Sequence, residues 1–269
     1  MSEAVNLPAV SAARRRAAFG QGALQVGLPI LFAAAVLGLW EVLVRWYHVP
    51  QVVLPAPSDV AVRIVSAWPF LMKHLVPTTL EALGGFLLAA GLGTALAVLL
   101  VYSRWARLAL YPNVVFFQLI PKIALAPLFI VWLGIGSESR LTFSLFIAFF
   151  PVVIATTTGL NQTPPDMLRL CRAYSASAWQ VFTAVRFPYA LPYWFSGLKI
   201  AVTFAIIGVV VGEFITAQAG LGYLILFAAS QAETALILAS ICALCVVGLA
   251  LYGIVALAER IILGRFGHR

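Results

Sequence analysis

The sequence predicts an all-α membrane protein with six transmembrane helices, and three observations support this. Of the 269 residues, 63% are hydrophobic and only 10% are charged, whereas a soluble domain carries about 25% charge. The apolar residues come in long unbroken runs rather than in alternation, so helices and not barrel strands satisfy the backbone inside lipid. About 20 apolar residues cross the roughly 30 Å of hydrocarbon, and such runs occupy residues 24–46, 80–101, 113–133, 141–160, 197–215 and 235–257. This composition excludes a soluble enzyme. Cys171, Cys242 and Cys245 read as small apolar fillers rather than a disulfide framework.

The first run follows Arg14, Arg15 and Arg16 and contains Ala33, Ala34 and Ala35, which imitate a signal cleavage site. It continues to Trp46, too long for a signal core, and reads as an uncleaved first span. With the N-terminus inside, the inner side collects Arg14, Arg15, Arg16, Arg104, Arg107, Arg169, Arg172, Arg186, Lys199, Arg260, Arg265 and Arg269. The outer side receives only Arg45, Arg63, Lys73 and Arg140. Twelve against four places both termini in the cytoplasm. The same clustering makes the net charge of +8 a topology signal and not a nucleic-acid surface. The expected organisation is a cytoplasmic tail over 1–23, a first transmembrane helix over 24–46 and an external segment over 47–79. A core domain of five transmembrane helices follows over 80–258, with a polar loop at 161–193, and then a cytoplasmic tail over 259–269.

The external segment carries Pro50, Pro55, Pro57, Pro69 and Pro77, and its 60–68 stretch has the amphipathic character of a short interfacial helix. The second run places Gly85, Ala89, Gly93 and Ala97 every four residues, a ridge that admits close helix approach. Packing within the chain and a seam with a second copy both fit that ridge. The third run is interrupted by Pro121 and Pro127, with Lys122 near its middle. A broken helix survives in lipid where its freed backbone groups are buried in protein or line a pore, which places this helix against a transport path. The other reading of Lys122 is a snorkelling or structurally paired side chain. Glu213 in the fifth run is a candidate partner, although the helical rise separates the two by about 10 Å in depth.

The loop over 161–193 is too short and too polar to span. Pro164 and Pro165 open it, and Asp166 stands where a helix N-terminus favours an acid. Leu168, Cys171 and Ala173 form a short apolar side. After Ser175 and Ser177, the residues Trp179, Phe182 and Val185 recur every three positions along a second short helix, which Pro188 is expected to end. Bulky apolar groups on the cytoplasmic side of a bundle point to a protein partner.

The run AYSASAWQVF over 173–182, followed by Val185, Phe187, Pro188, Ala190, Leu191 and Pro192, resembles the EAA loop of permease subunits of binding-protein-dependent ABC importers. That pattern is roughly E-A-A-x-x-x-G-A-x-x-W-x-x-F-x-x-V-x-L-P-x-A-L-P. Arg169 stands where the family usually has Glu, and Ser175 where it usually has Gly. The segments LPAPS over 54–58, PLFIVWLGIG over 127–136 and GLGYLI over 220–225 resemble the nitrate/sulfonate/taurine branch. PKIALAP over 121–127 and GVVVGEF over 208–214 look most similar to permeases for thiamine-pyrimidine precursors or riboflavin.

The resemblance implies a type I ABC importer permease fold with a cytoplasmic coupling helix over about 173–182. It implies the transmembrane subunit of an ATP-driven importer in a bacterial plasma membrane. The cargo would be a small organic solute or anion (a pyrimidine, riboflavin, a sulfonate, taurine or a nitrate-like ion). It assigns ATPase coupling to Asp166, Ala173, Tyr174, Ser175, Ala176, Ser177, Trp179, Gln180, Phe182 and Pro188. The translocation path is expected at Pro121, Lys122, Pro127, Gly208, Gly212 and Glu213. The sequence has no G-x-x-x-x-G-K-[ST] phosphate cradle, so ATP and Mg belong on a partner chain. The implied partners are two ATP-binding subunits, a second permease subunit that can be a copy of this chain, an external solute-binding protein docked on 49–77 and 217–234, and the lipid bilayer. The chain is expected to bind no cofactor, metal or nucleic acid, and His48, His74 and His268 are too scattered for a metal or catalytic site. The rival from another class is an ion-coupled secondary transporter working through Lys122 and Glu213, weakened by six spans without an inverted repeat.

Overall fold

The computed structural model describes the backbone of residues 7–216 and 218–265 and the side chains of 27–215 and 218–265. Every regular element among the described residues is helical. The order is α1 (Leu7–Trp46), α2 (Pro57–Ser66), α3 (Trp68–Tyr102), α4 (Arg104–Leu119), a 3-10 turn (Lys122–Leu125) and α5 (Ala126–Leu133). There follow α6 (Ser137–Asn161), α7 (Pro165–Ala173), α8 (Ala178–Val181), a widened π turn (Phe182–Arg186), α9 (Phe187–Thr216), α10 (Leu221–Ser230) and α11 (Thr234–Arg265).

Five stretches are long and apolar enough to cross a membrane: α1 from Gly27, α3, α6, α8 with α9 as one rod, and α11. The third expected span is not straight. Its two halves, α4 and the Lys122–Leu133 segment, meet at 93°. Ile120 is held extended at ψ 137°, the conformation that a following proline imposes. The second span also begins earlier than expected. Pro69 sits in the first turn of α3, where its missing N–H costs nothing, so the helix starts at Trp68 and shortens the segment expected over 47–79.

The core is built on α6, with α3 on one side and α9 on the other. Small residues set those seams. Ala89, Ala97, Ala201 and Ala205 are buried, a Cβ on Gly85 would fall 2.3 Å from Ser144 Oγ, and one on Gly208 would fall 2.7 Å from Ser144 Cα. The ridge at Gly85, Ala89, Gly93 and Ala97 is therefore spent on packing within the chain. Without a hydrophobic drive between helices in lipid, such close contact is what holds them together. Phe86, Leu191, Phe195, Leu198 and Val202 fill the space between these seams and α11, meeting Val247, Leu251 and Val255.

The remaining elements attach at the edges. α1 meets the rest through α2, where Arg45 bonds Asp59 at 3.1 Å and Glu41 accepts the Ser58 N–H at 3.0 Å. α2 reaches the start of α11 through Arg63 and Glu233 at 2.8 Å. The ten-residue α10 is too short to span and buries Leu221, Leu224 and Ala228 against Leu71, Leu236 and Ala239.

Candidate functional site

The polar loop folds as two short helices around a tight turn at Ser175–Ser177, as its punctuation predicts, so the range 173–182 implied for the coupling helix straddles that turn. α7 starts with Pro165 in its first turn and stops in a six-residue hydrogen-bonded closure. Ser175 N–H bonds Arg172 C=O at 3.0 Å and Ala176 N–H bonds Cys171 C=O at 2.9 Å, the Schellman pattern. Its left-handed position falls on Ser175, at φ +53°. That is where the resemblance calls for glycine, and a side chain there costs about 1 kcal/mol. The next helix opens on a reciprocal cap: Gln180 N–H donates to Ser177 Oγ, and Ser177 N–H donates to Gln180 Oε1 at 2.8 Å. Ser177 and Gln180 thus shape the turn. Asp166 pairs at 3.0 Å with Arg169 one turn on, both fully in the open.

Pro188 does not end the second helix. It has no N–H to offer the carbonyl one turn back, and the helix widens by one residue instead, with Phe187 N–H bonding Phe182 C=O. The result is one continuous rod from Ala178 to Ile215. In its first turn the two aromatic residues singled out from the sequence stack at 5.8 Å between ring centroids but differ in exposure. Trp179 is 71% exposed, whereas Phe182 is half-buried against Tyr102 and Phe187 and packs with Val98 at the end of α3. Tyr174, in the turn, is 80% exposed. Arg107 closes the neighbouring end of α3 by donating to Leu100 C=O and Val101 C=O.

The expected path residues do not share one surface. Lys122 donates to Gln118 C=O at 3.0 Å and lies over the ring of Phe150, halfway along α6. Pro121 and Pro127 are exposed beside it. Gly208 and Gly212, by contrast, face α6, where they meet Ser144 and Arg140. Glu213 is only 2% exposed, so the carboxylate considered as a partner for Lys122 has other contacts. Its Oε1 accepts the Thr78 hydroxyl at 2.6 Å and its Oε2 the Gly222 N–H at 2.7 Å. Thr78 in turn accepts the Leu221 N–H at 2.8 Å, and His74 Nδ1 accepts the Gly220 N–H at 3.1 Å. Beside this group, Arg140 grips Glu81 through two nitrogens at 2.7 and 2.5 Å.

Sequence reasoning missed two features. One is that Glu81–Arg140 pair, whose members lie 59 positions apart and carry no spacing signal. The other is an open strip on α9. Ser196, Ile200, Thr203 and Ile207 recur at alternating steps of four and three, lie on one face and are exposed. α5 flanks the strip through Phe129 and Phe204, and α11 flanks it through Glu259, which bonds Lys199 at 2.7 Å. On the α11 side of the strip is an open cavity of about 430 Å³ lined by Ser196, Lys199, Thr203 and Tyr252. The hydroxyls at spacing seven on an otherwise apolar helix are the signal that could have found it.

Residues 85–263 match the family described as the inner membrane component of binding-protein-dependent transport systems. The chain belongs to this family. It is thus a non-catalytic, multi-pass membrane subunit of ABC transporters, the ATPase being a separate chain. A probable ABC transporter permease of Haemophilus influenzae is 36% identical over 224 residues, 83% of this chain and 91% of that one. The riboflavin transport permease of Chloroflexus aurantiacus is 34% identical, over 88% of this chain and 89% of that one. The formylaminopyrimidine transport permease of Halalkalibacterium halodurans is 34% identical, over 72% and 78%. A chain of the inward-facing MetNI methionine ABC transporter superposes with a TM-score of 0.59, at 19% identity, covering 71% of this chain and 97% of that one. It shares the type I permease fold.

Proposed function

We propose that the chain is the membrane half of an ATP-driven importer that carries a small organic solute into the cytoplasm. Two copies would form the conduit between two ATPase subunits inside and a solute-binding protein outside. Both termini would lie in the cytoplasm, the orientation favoured by the Lys and Arg bias. The observation that carries this reading is the exposed pair α7–α8. A loop whose backbone is closed by its own caps still leaves Trp179 and Tyr174 uncovered, the profile of an anchor for a partner. The ATPase groove would take α7–α8, with ATP and Mg held there.

The path would run along the α9 strip and past the break at Pro121. Freed backbone and an ammonium at mid-depth of α6 are tolerable only against protein or water. Gly208, Gly212 and Glu213 then act behind that surface. The relatives named for riboflavin and a formylaminopyrimidine, each 34% identical, stand slightly nearer than one named for aliphatic sulfonates at 31%, which favours a nitrogen heterocycle as the cargo. The match to the ABC transporter permease family weighs against an ion-coupled carrier working through Lys122 and Glu213.

The test is uptake by proteoliposomes holding this chain with its ATPase and binding protein. Uptake that needs all three and ATP is the expected result. Uptake driven by an ion gradient with ATP absent would overturn the reading.

A further inference from the structure

α10 packs on α3 and α11 along its length and is tied to α9 at its first turn. Gly220 sits at φ +113°, and a Cβ there would overlap the Glu213 carboxylate, so the turn presses directly on that side chain. The consecutive N–H groups of Gly220, Leu221 and Gly222, which a helix start leaves without partners, are each accepted by a buried side chain: His74 Nδ1, Thr78 Oγ1 and Glu213 Oε2. Two acceptors come from α3 and one from α9. His74 accepts, so its ring is neutral. Arg140 is the nearby cation on α6, and Glu81 on α3 already takes it bidentately. No described side chain forms an ion pair with Glu213.

Glu213 lies near the far end of the rod that begins at Ala178. At 1.5 Å per residue, about 50 Å separate it from Trp179. One unbroken helix therefore joins the exposed loop to the α10 turn.

We infer that Glu213 is the positioning residue that makes α10 follow α9, so that motion entering at α8 arrives as a displacement of α10 at the opposite face of the bundle. The inference rests on the importer reading. The latch works through hydrogen-bond geometry, not charge. Glutamine at 213 can still accept from Gly222 and donate to Thr78, whereas alanine leaves both unserved and removes the side-chain tie, so that only the close approach of Gly222 to the Val210 C=O is left between the turn and α9.

The experiment uses the complete reconstituted transporter and compares E213Q, E213A and T78V, reading uptake and ATP hydrolysis together with ATPase co-purification. E213A and T78V are expected to keep the ATPase bound and hydrolysing while uptake per ATP falls about tenfold, the factor of a lost buried hydrogen bond. E213Q is expected to transport like the unchanged chain. Should E213A fail to fold, T78V and E213Q decide between them. Unchanged uptake per ATP in T78V overturns the inference, as does an E213Q as uncoupled as E213A, or a parallel loss of uptake and hydrolysis. ATP-independent uptake by the unchanged protein would sink the importer reading instead.

Discussion

The two ends of the bundle solve opposite problems with polar residues. At the α10 end, His74, Thr78, Glu81 and Glu213 are buried, and each has a partner within the chain. At the loop end, Asp166, Arg169, Tyr174 and Trp179 stand in the open, and hydrogen bonds inside the loop only fix its shape. Substitutions at the first end should therefore register as stability or coupling. Substitutions of the exposed side chains at the second should register as partner binding with little change in stability, and substitutions of its caps as small local changes.

The largest effect tests the buried end. Glu81→Ala strands the Arg140 guanidinium and should cost about 3–5 kcal/mol, read as a lower unfolding midpoint in detergent. The double variant with Arg140→Ala should recover part of that loss. If the single variant unfolds like the unchanged protein, the pair does not hold α3 to α6. Next, Gly208→Val drives a side chain into the α6 backbone and should cost about 1–3 kcal/mol, while Gly91→Ala, with nothing within 4 Å, should be silent in the same assay. Equal midpoints for those two variants would remove the small-residue seam from the account.

The membrane class was legible in the sequence because apolar run length is a one-dimensional quantity: five helices and one bent pair stand where six runs were read. The small-residue ridge of α3 was visible for the same reason, as a fixed spacing on one helix. What could not be read depends on contacts between distant elements. Nothing local distinguishes Glu213 facing a path from Glu213 capping α10, since its partners Thr78 and Gly222 are set by how α3 and the α10 turn arrive. The loop misled in a different way. The break at Ser175–Ser177 and the three-residue aromatic spacing hold, but the range 173–182 implied for the coupling helix straddles that break, and Pro188 is absorbed by a widened turn rather than ending a helix.

Smaller effects test the exposed end. Ser177→Ala removes the cap of α8 and should cost the loop about 1 kcal/mol, visible as faster amide exchange at Gln180. Ser175→Gly relieves the left-handed side chain and should stabilise by a similar amount. If glycine there destabilises the loop, the strain assigned to Ser175 is absent.

The smallest stability change belongs to the residue with the largest expected consequence for a partner. Trp179→Ala, examined in the complete transporter, tests most directly whether the exposed loop is what the ATPase grips. The unfolding midpoint should shift by less than about 0.5 kcal/mol equivalent, while ATPase co-purification falls at least about tenfold and ATP-driven uptake falls with it. Full co-purification with undiminished uptake per ATP hydrolysed would contradict the assignment.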